Sequence, residues 1–286
     1  LTPYTGYCTA TLPGNAEYGS GYLTLTVDKT GKVKTAGKLA DGTAASLSGP
    51  LILDSAGRIF TVLYTAPTAY KGGCLFGLAE FVAPAGEAAK VVLRPLDSVP
   101  FLWQSRNPQA TETNGSGFAR ETNLRGGWYG KTGDLGVYYA DKNLTVGTDL
   151  DAPTPQLTVG STRHDSVRWS PAGVVLMPTL KSGLMAGLAS PVAGKPVDPD
   201  KDGSWDYGAT NSVGLKIALV RATGIFKGSS SAWFDYPEKR HVSKSLAFEG
   251  ALTPVREHMN DGVAGRGFFL WADRAVIPET AKTYAF

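Results

Sequence analysis

Gly21-YLTLTVDKTGKVK-Thr35 and Gly214-LKIALVRATGIFK-Gly228 read almost alike: a run of strand-forming residues, a Thr-Gly turn and a second run. Glycine can take the positive φ that tight hairpin loops require, so each stretch reads as a β-hairpin. Aligned on their first glycines, the two match Val27 with Val220, Thr30-Gly31 with Thr223-Gly224, and Lys34 with Lys227. The facing does not match. Leu23 and Leu25 fall opposite Lys216 and Ala218, whereas Leu215, Ile217 and Leu219 fall opposite Tyr22, Thr24 and Thr26. Because side chains alternate across a strand, a one-residue slip exchanges its two faces. A bulge, partial covering of both faces, or a common hairpin arising twice would each account for it.

Outward from the first hairpin, strand patterns cover Lys32 to Leu39, Ala45 to Leu53, Ile59 to Tyr64 and Cys74 to Phe81. Their connectors are Lys29-Thr-Gly, Ala40-Asp-Gly-Thr, Asp54-Ser-Ala-Gly and Lys71-Gly-Gly. Strands at roughly 8 to 12 residue spacing with such turns indicate a sandwich or barrel. Leu23, Leu25 and Val27 alternate with Tyr22, Thr24 and Thr26, the pattern of an antiparallel sheet with one face packed. From Ala83 to Asn211 prolines interrupt the text, and prolines belong at strand ends, edges and loops. Strand patterns there lie at Phe101 to Gln104, Leu135 to Tyr139, Gln156 to Val159, Val167 to Ser170 and Gly173 to Met177. Regular patterning resumes with Leu215 to Val220, Gly224 to Lys227, Ser231 to Tyr236, Ser245 to Glu249 and Gly265 to Ala272. Thr253-Pro-Val-Arg-Glu-His-Met is the one helix signal, with Thr as N-cap and Pro at the first helical position. The expected object is all-β, an antiparallel barrel or sandwich forming one body over 1–286. Pseudo-repeats 1–82 and 212–274 flank an irregular β/loop middle, 83–211.

The stretch Gly19-SGYLTLTVDKTGKVKTAGKLADGT-Ala44 fits the pattern GxGxxTxTVxxxGKVxxxGKLADGT, and Gly73-CLFGLAEF-Val82, Thr223-GIFKGSS and Val263-AGRGFFLWAD-Arg274 follow the same style. On these residues the chain resembles the Gly-rich β modules of large secreted bacterial proteins of unknown function. That resemblance implies secretion and a β architecture. It transfers no catalytic residue, because the shared positions are turn glycines and core apolar residues.

Composition narrows the partners. Twenty-eight basic and 25 acidic residues are scattered without like-charged runs, so the electrostatic stripe of a nucleic-acid binder is missing. No apolar stretch approaches the roughly 20 residues of a membrane-spanning helix. The opening Leu1-Thr-Pro-Tyr reads as the start of a processed chain, and the expected location is extracellular or at the cell surface. Under oxidising export conditions, Cys8 and Cys74, the two cysteines, are expected to pair as a disulfide, the other reading being two buried reduced thiols; their spacing fits no zinc site.

The sharpest constellation is Asp198-Pro-Asp200-Lys-Asp202-Gly203-Ser204-Trp-Asp206, where alternate carboxylates in a tight loop can converge on a hard cation. Asp198, Asp200, Asp202 and Asp206 are therefore candidate Ca²⁺ ligands, although the twelfth position of such a loop is Ala209 and not the usual Glu. Loop-borne aromatics, Trp128 and Tyr129 within Arg125-Gly-Gly-Trp-Tyr-Gly and Trp205 and Tyr207 beside the acidic loop, are candidate sugar-stacking residues. Trp103, Trp233 and Trp271 sit in strand patterns and read as core.

His164, His241 and His258 are too scattered to make a catalytic set, and no nucleophile elbow, metalloprotease helix or phosphate-binding loop is present. Function reads as a secreted or surface-displayed, non-catalytic binding, adhesion or structural module with a glycan or surface protein as partner. The alternative is a polysaccharide-acting hydrolase or lyase using a carboxylate pair, with Glu121, Asp134, Asp141, Asp165, Asp206 and Asp235 as candidates.

Overall fold

The computed structural model describes residues 2–14, 18–83, 91–107, 117–130, 139, 142–147, 166–168, 173–192, 211, 213–236, 240–254, 263–272 and 281–285. The strand patterns at 135–138 and 156–159, and the helix signal beyond Pro254, lie outside them.

The described chain is all-β, and its strand ladders are antiparallel. The first sheet contains β1 (Gly6–Leu12), β2 (Gly21–Val27), β3 (Lys32–Lys38), β4 (Ala44–Pro50), β5 (Ile52–Leu53), β6 (Ile59–Thr65), β7 (Cys74–Val82), β8 (Val92–Pro95), β9 (Phe101–Ser105), β10 (Phe118–Thr122) and β11 (Arg125–Trp128). Its order is β10-β9-β7-β8-β11-β1-β2-β3-β4, with β6 on the other side of β7 and β5 beside β6. The sheet curls as a half-barrel, bringing β4 towards β6, where the Thr61 hydroxyl donates to the Pro50 carbonyl at 2.9 Å. It continues through Trp128, so it takes in strands from what reads in sequence as the irregular middle.

A small sheet joins β12 (Leu144–Thr145), β14 (Val175–Lys181) and β15 (Leu184–Ala189). The third comprises β13 (Ser166–Arg168), β16 (Lys216–Val220), β17 (Ile225–Tyr236), β18 (Arg240–Leu252), β19 (Gly265–Ala272) and β20 (Ala281–Ala285), in the order β13-β17-β18-β19-β20 with β16 also on β17.

Inward positions of the first sheet alternate as the pleat requires. Cys8, Ala10 and Leu12 on β1, Leu23, Leu25 and Val27 on β2, Leu75 and Phe81 on β7, and Phe101 and Trp103 on β9 fill its core. Ala251 and Phe268 of the third sheet join that core, while Tyr129, Leu219, Phe226, Phe248 and Phe269 belong to a second one. β1 is buried on both sides: its outward Thr9 and Thr11 are as inaccessible as its inward residues, because β18 and β19 pack against it. At this junction the Tyr22 hydroxyl donates to Glu249 at 3.1 Å, Lys38 pairs with Glu249 at 2.5 Å, and the Tyr7 hydroxyl donates to the Thr223 carbonyl at 3.0 Å.

The two look-alike stretches are both hairpins, β2–β3 and β16–β17, and their loops explain the inverted facing. In the first, Asp28 and Lys32 still pair, with Asp28 N–H donating to the Lys32 carbonyl, and three residues form the loop. In the second, Val220 is directly opposite Ile225, so four residues, Arg221 to Gly224, form the loop. Gly31 and Gly224 hold the positive φ in each, +82° and +69°. The extra loop residue turns the strand before the loop over: Val27 is 3% exposed and its counterpart Val220 is 53% exposed. After the loop the facing agrees again, with Val33 and its counterpart Phe226 both buried.

The three-residue loop recurs at Asp54-Ser-Ala-Gly57-Arg58. There Asp54 N–H donates to the Arg58 carbonyl, and Gly57 has φ +80°. In both loops the leading aspartate folds back: Asp28 accepts from the N–H of Thr30 and Lys32, and Asp54 from those of Ala56 and Arg58. These bonds favour the ionised form. The Thr30 hydroxyl is the main cause holding Asp28 below the usual carboxylate range, and the Arg58 backbone N–H is the main one for Asp54.

Candidate functional site

Trp128 and Tyr129 are not a loop platform. Arg125-Gly-Gly-Trp is strand β11, between β1 and β8, and its glycines mark close backbone approach: a Cβ on Gly126 would lie 2.2 Å from the Thr9 carbonyl oxygen. Tyr129 is fully buried, its hydroxyl donating to the Arg221 carbonyl and its ring edge-on to Tyr7 at 5.9 Å. Burial pushes its phenol up to about 12. It therefore offers no ring face to a sugar. Trp128 is half-buried against the first core, with Gly6 close beneath its indole nitrogen.

Trp205, Tyr207, Asp198, Asp200, Asp202 and Asp206 lie outside the described residues. Among the described residues no cluster of three or more His, Cys, Asp or Glu is placed to hold a metal.

The expected disulfide between Cys8 and Cys74 is not formed; both thiols are free. In the sheet, β11 and β8 separate β1 from β7. Cys8 points into the core, whereas Cys74, neighbour to the inward Leu75, lies on the outer face, where Gln104 contacts its sulfur at 3.8 Å. Two side chains on opposite faces of one sheet cannot meet the geometry of a disulfide. Burial pushes the Cys8 thiol up to about 12. Trp103 is core, as its strand position implies: it is 4% exposed and its indole N–H donates to the buried Tyr70 hydroxyl.

The exposed aromatics are elsewhere. On the outer face of β6, β7 and β9, Tyr64 is directly opposite Phe76, and Phe76 directly opposite Leu102. Tyr64 is 56% exposed and Phe76 44%. Val62, paired with Leu78, extends the surface by one row. Polar groups rim it: Gln104 beside Cys74, Glu121 across from Leu102, and the cross-strand ion pair of Glu80 with Arg94 at 2.7 Å. Cross-strand neighbours have Cβ atoms about 4.5–5.5 Å apart, so the row from Tyr64 through Phe76 to Leu102 spans about 10 Å of nearly flat surface.

Sequence reading passes over this row because both faces of its strands are apolar. In Ile59–Thr65, Phe60, Val62 and Tyr64 alternate with Thr61 and Leu63, and the letters do not say which set faces inward. The available signal is that excess itself: a strand with large apolar residues on both faces leaves one of them to be covered by something else.

Most described carboxylates are committed to the fold. Asp28 and Asp54 close turns, Asp41 accepts from the Tyr70 hydroxyl, Arg58 binds Asp54 and Asp97, and Glu80 and Glu249 are ion-paired. Compared with protein-family models, curated proteins and solved structures, the chain matches none of them.

Proposed function

We propose that the chain is a secreted or surface-displayed binding module, non-catalytic, that holds a glycan against the aromatic row of Tyr64, Phe76 and Leu102. The observation that carries this reading is the exposure of Tyr64 and Phe76 side by side on a sheet face. Aromatic rings stack on the apolar faces of sugars while neighbouring polar groups orient the hydroxyls, and Gln104 and Glu121 occupy that flanking position. Covering the exposed half of each ring would remove roughly 100 Å² of apolar surface from water, or about 2.5 kcal/mol per ring before the costs of association. Of the carboxylates weighed for hydrolysis, Asp134, Asp141, Asp165 and Asp206 lie outside the described residues. Secretion is supported by the likeness to Gly-rich secreted β modules.

The test is a glycan array with immobilised neutral and charged polysaccharides, followed by titration of the hits. Tyr64→Ala and Phe76→Ala should each weaken binding about tenfold, equivalent to ~1.4 kcal/mol, with melting temperature little changed because both side chains are exposed. An array without hits, or hits unaffected by the double variant, overturns the proposal.

A further inference from the structure

The outer face of β3 presents Lys32, Lys34, Ala36 and Lys38 in turn. Thr26 and Ser48 flank Lys34 in register, and Thr24 and Ser46 flank Ala36. Because Ala36, Ser46 and Ser48 are small, the surface sinks between the longer side chains into a trough of about 570 Å³ lined by Thr24, Thr26, Lys32, Lys34, Ser46 and Ser48.

The charge in this trough is one-sided. No carboxylate lines it. The nearest in sequence, Asp28, is turned onto the backbone N–H groups of its own loop. Lys38, one row beyond Ala36, is held by Glu249, whereas Lys34 makes no ion pair among the described residues. Lys32 and Lys34 are two positions apart on a strand, which separates their stems by about 6.6 Å along the chain. The floor between and beside them carries four hydroxyl groups, of which that of Thr24 already donates to the Ala36 carbonyl at 3.0 Å.

We infer that this trough binds an acidic polysaccharide, a sugar chain bearing carboxylate or sulfate groups. The two ammonium groups pair with successive anions, and the Thr and Ser hydroxyls exchange hydrogen bonds with sugar hydroxyls. Nucleic acid is also a polyanion, but no aromatic ring lines the trough for a base to stack on. The site is separate from the aromatic row, which lies on β6, β7 and β9, and does not depend on it.

Calorimetric titration with sodium polygalacturonate, dextran sulfate, neutral dextran and a single-stranded DNA oligonucleotide tests the inference. At least one of the two acidic polysaccharides should bind, weakening with salt, and the tighter of the two identifies carboxylate or sulfate as the preferred anion. Neutral dextran and DNA should not compete. Lys34→Ala should weaken binding by up to about fivefold and Lys32→Ala/Lys34→Ala by roughly the square of that. Ala36→Phe, which fills the trough without changing any charge, should abolish it, and Tyr64→Ala/Phe76→Ala should leave it unchanged. Binding of neither acidic polymer, equal binding of DNA, or full affinity in Ala36→Phe overturns the inference.

Discussion

Gly224 is the position where a single methyl group should do the most measurable damage. Its φ of +69° lies in the left-handed region, and a Cβ built there would sit 2.5 Å from Cε2 and 2.9 Å from Cδ2 of Tyr129. Tyr129 has nowhere to retreat, being fully buried, bonded to the Arg221 carbonyl and packed edge-on to Tyr7. Holding a residue with a Cβ at positive φ costs about 1–2 kcal/mol, and overpacking a core contact about 1–3 kcal/mol more. Gly224→Ala should therefore destabilise by about 2–5 kcal/mol. Gly57 supplies the control, because its φ is +80° and a Cβ there meets nothing within 4 Å. Gly57→Ala pays only the backbone part, about 1–2 kcal/mol. At about 2–4 °C per kcal/mol for a chain of this size, thermal melts should show losses of about 10 °C for Gly224→Ala and about 4 °C for Gly57→Ala. Introducing Gly224→Ala into a Tyr129→Leu background should bring its cost down towards the Gly57 value. If the two glycine variants melt together, the contact with Tyr129 is not what makes Gly224 necessary.

Three further outcomes concern titration and thiols. Asp28 and Asp54 have folded pKa values below their unfolded ones, so their stabilisation is present above about pH 4 and is lost as pH falls through the lower folded values. Melting temperature between about pH 5 and pH 2 should fall less steeply in Asp28→Asn/Asp54→Asn than in the wild type, and parallel curves would refute this. A thiol reagent should modify Cys74 in the native protein and reach Cys8 only on unfolding; failure to modify either in denaturant would reveal a disulfide. With the Cys8 thiol held up to about 12, the unfolded chain loses that proton first. Stability from this group is therefore present below about pH 8.5 and lost as pH rises, and Cys8→Ala should have the shallower alkaline limb.

The turns were the most legible part of the sequence. Asp28-Lys-Thr-Gly and Asp54-Ser-Ala-Gly name their own loop type, because Gly at the left-handed position and Asp folding onto two backbone amides are local chemistry. Strands with one wet face, such as Tyr22 to Val27, followed. β1 was legible only in part: Cys8, Ala10 and Leu12 alternate with Tyr7, Thr9 and Thr11 as in an ordinary strand, but nothing in those letters says that the threonine face is covered as well. β11 was misleading for a different reason. Its Gly-Gly pair reads as a turn, yet in the fold the missing side chains let β1 and β8 come close. The burial of Tyr129 and the exposure of Tyr64 and Phe76 depend on how the third sheet covers the first, and pairings between residues over 200 positions apart, such as Tyr22 with Glu249, leave no local trace.

The double-sided burial of β1 also bears on how the molecule comes apart. A strand with one wet face can keep its own sheet while a neighbouring layer leaves. β1 cannot, because lifting β18 and β19 away would strand Thr9 and Thr11 in a newly flooded seam, while opening the first sheet would strip Cys8 and Ala10 from theirs. The two sheets are thereby joined in one cooperative unit. The amide protons of Gly6–Leu12 should accordingly be among the last to exchange with solvent, at the rate of global opening and not of local fraying.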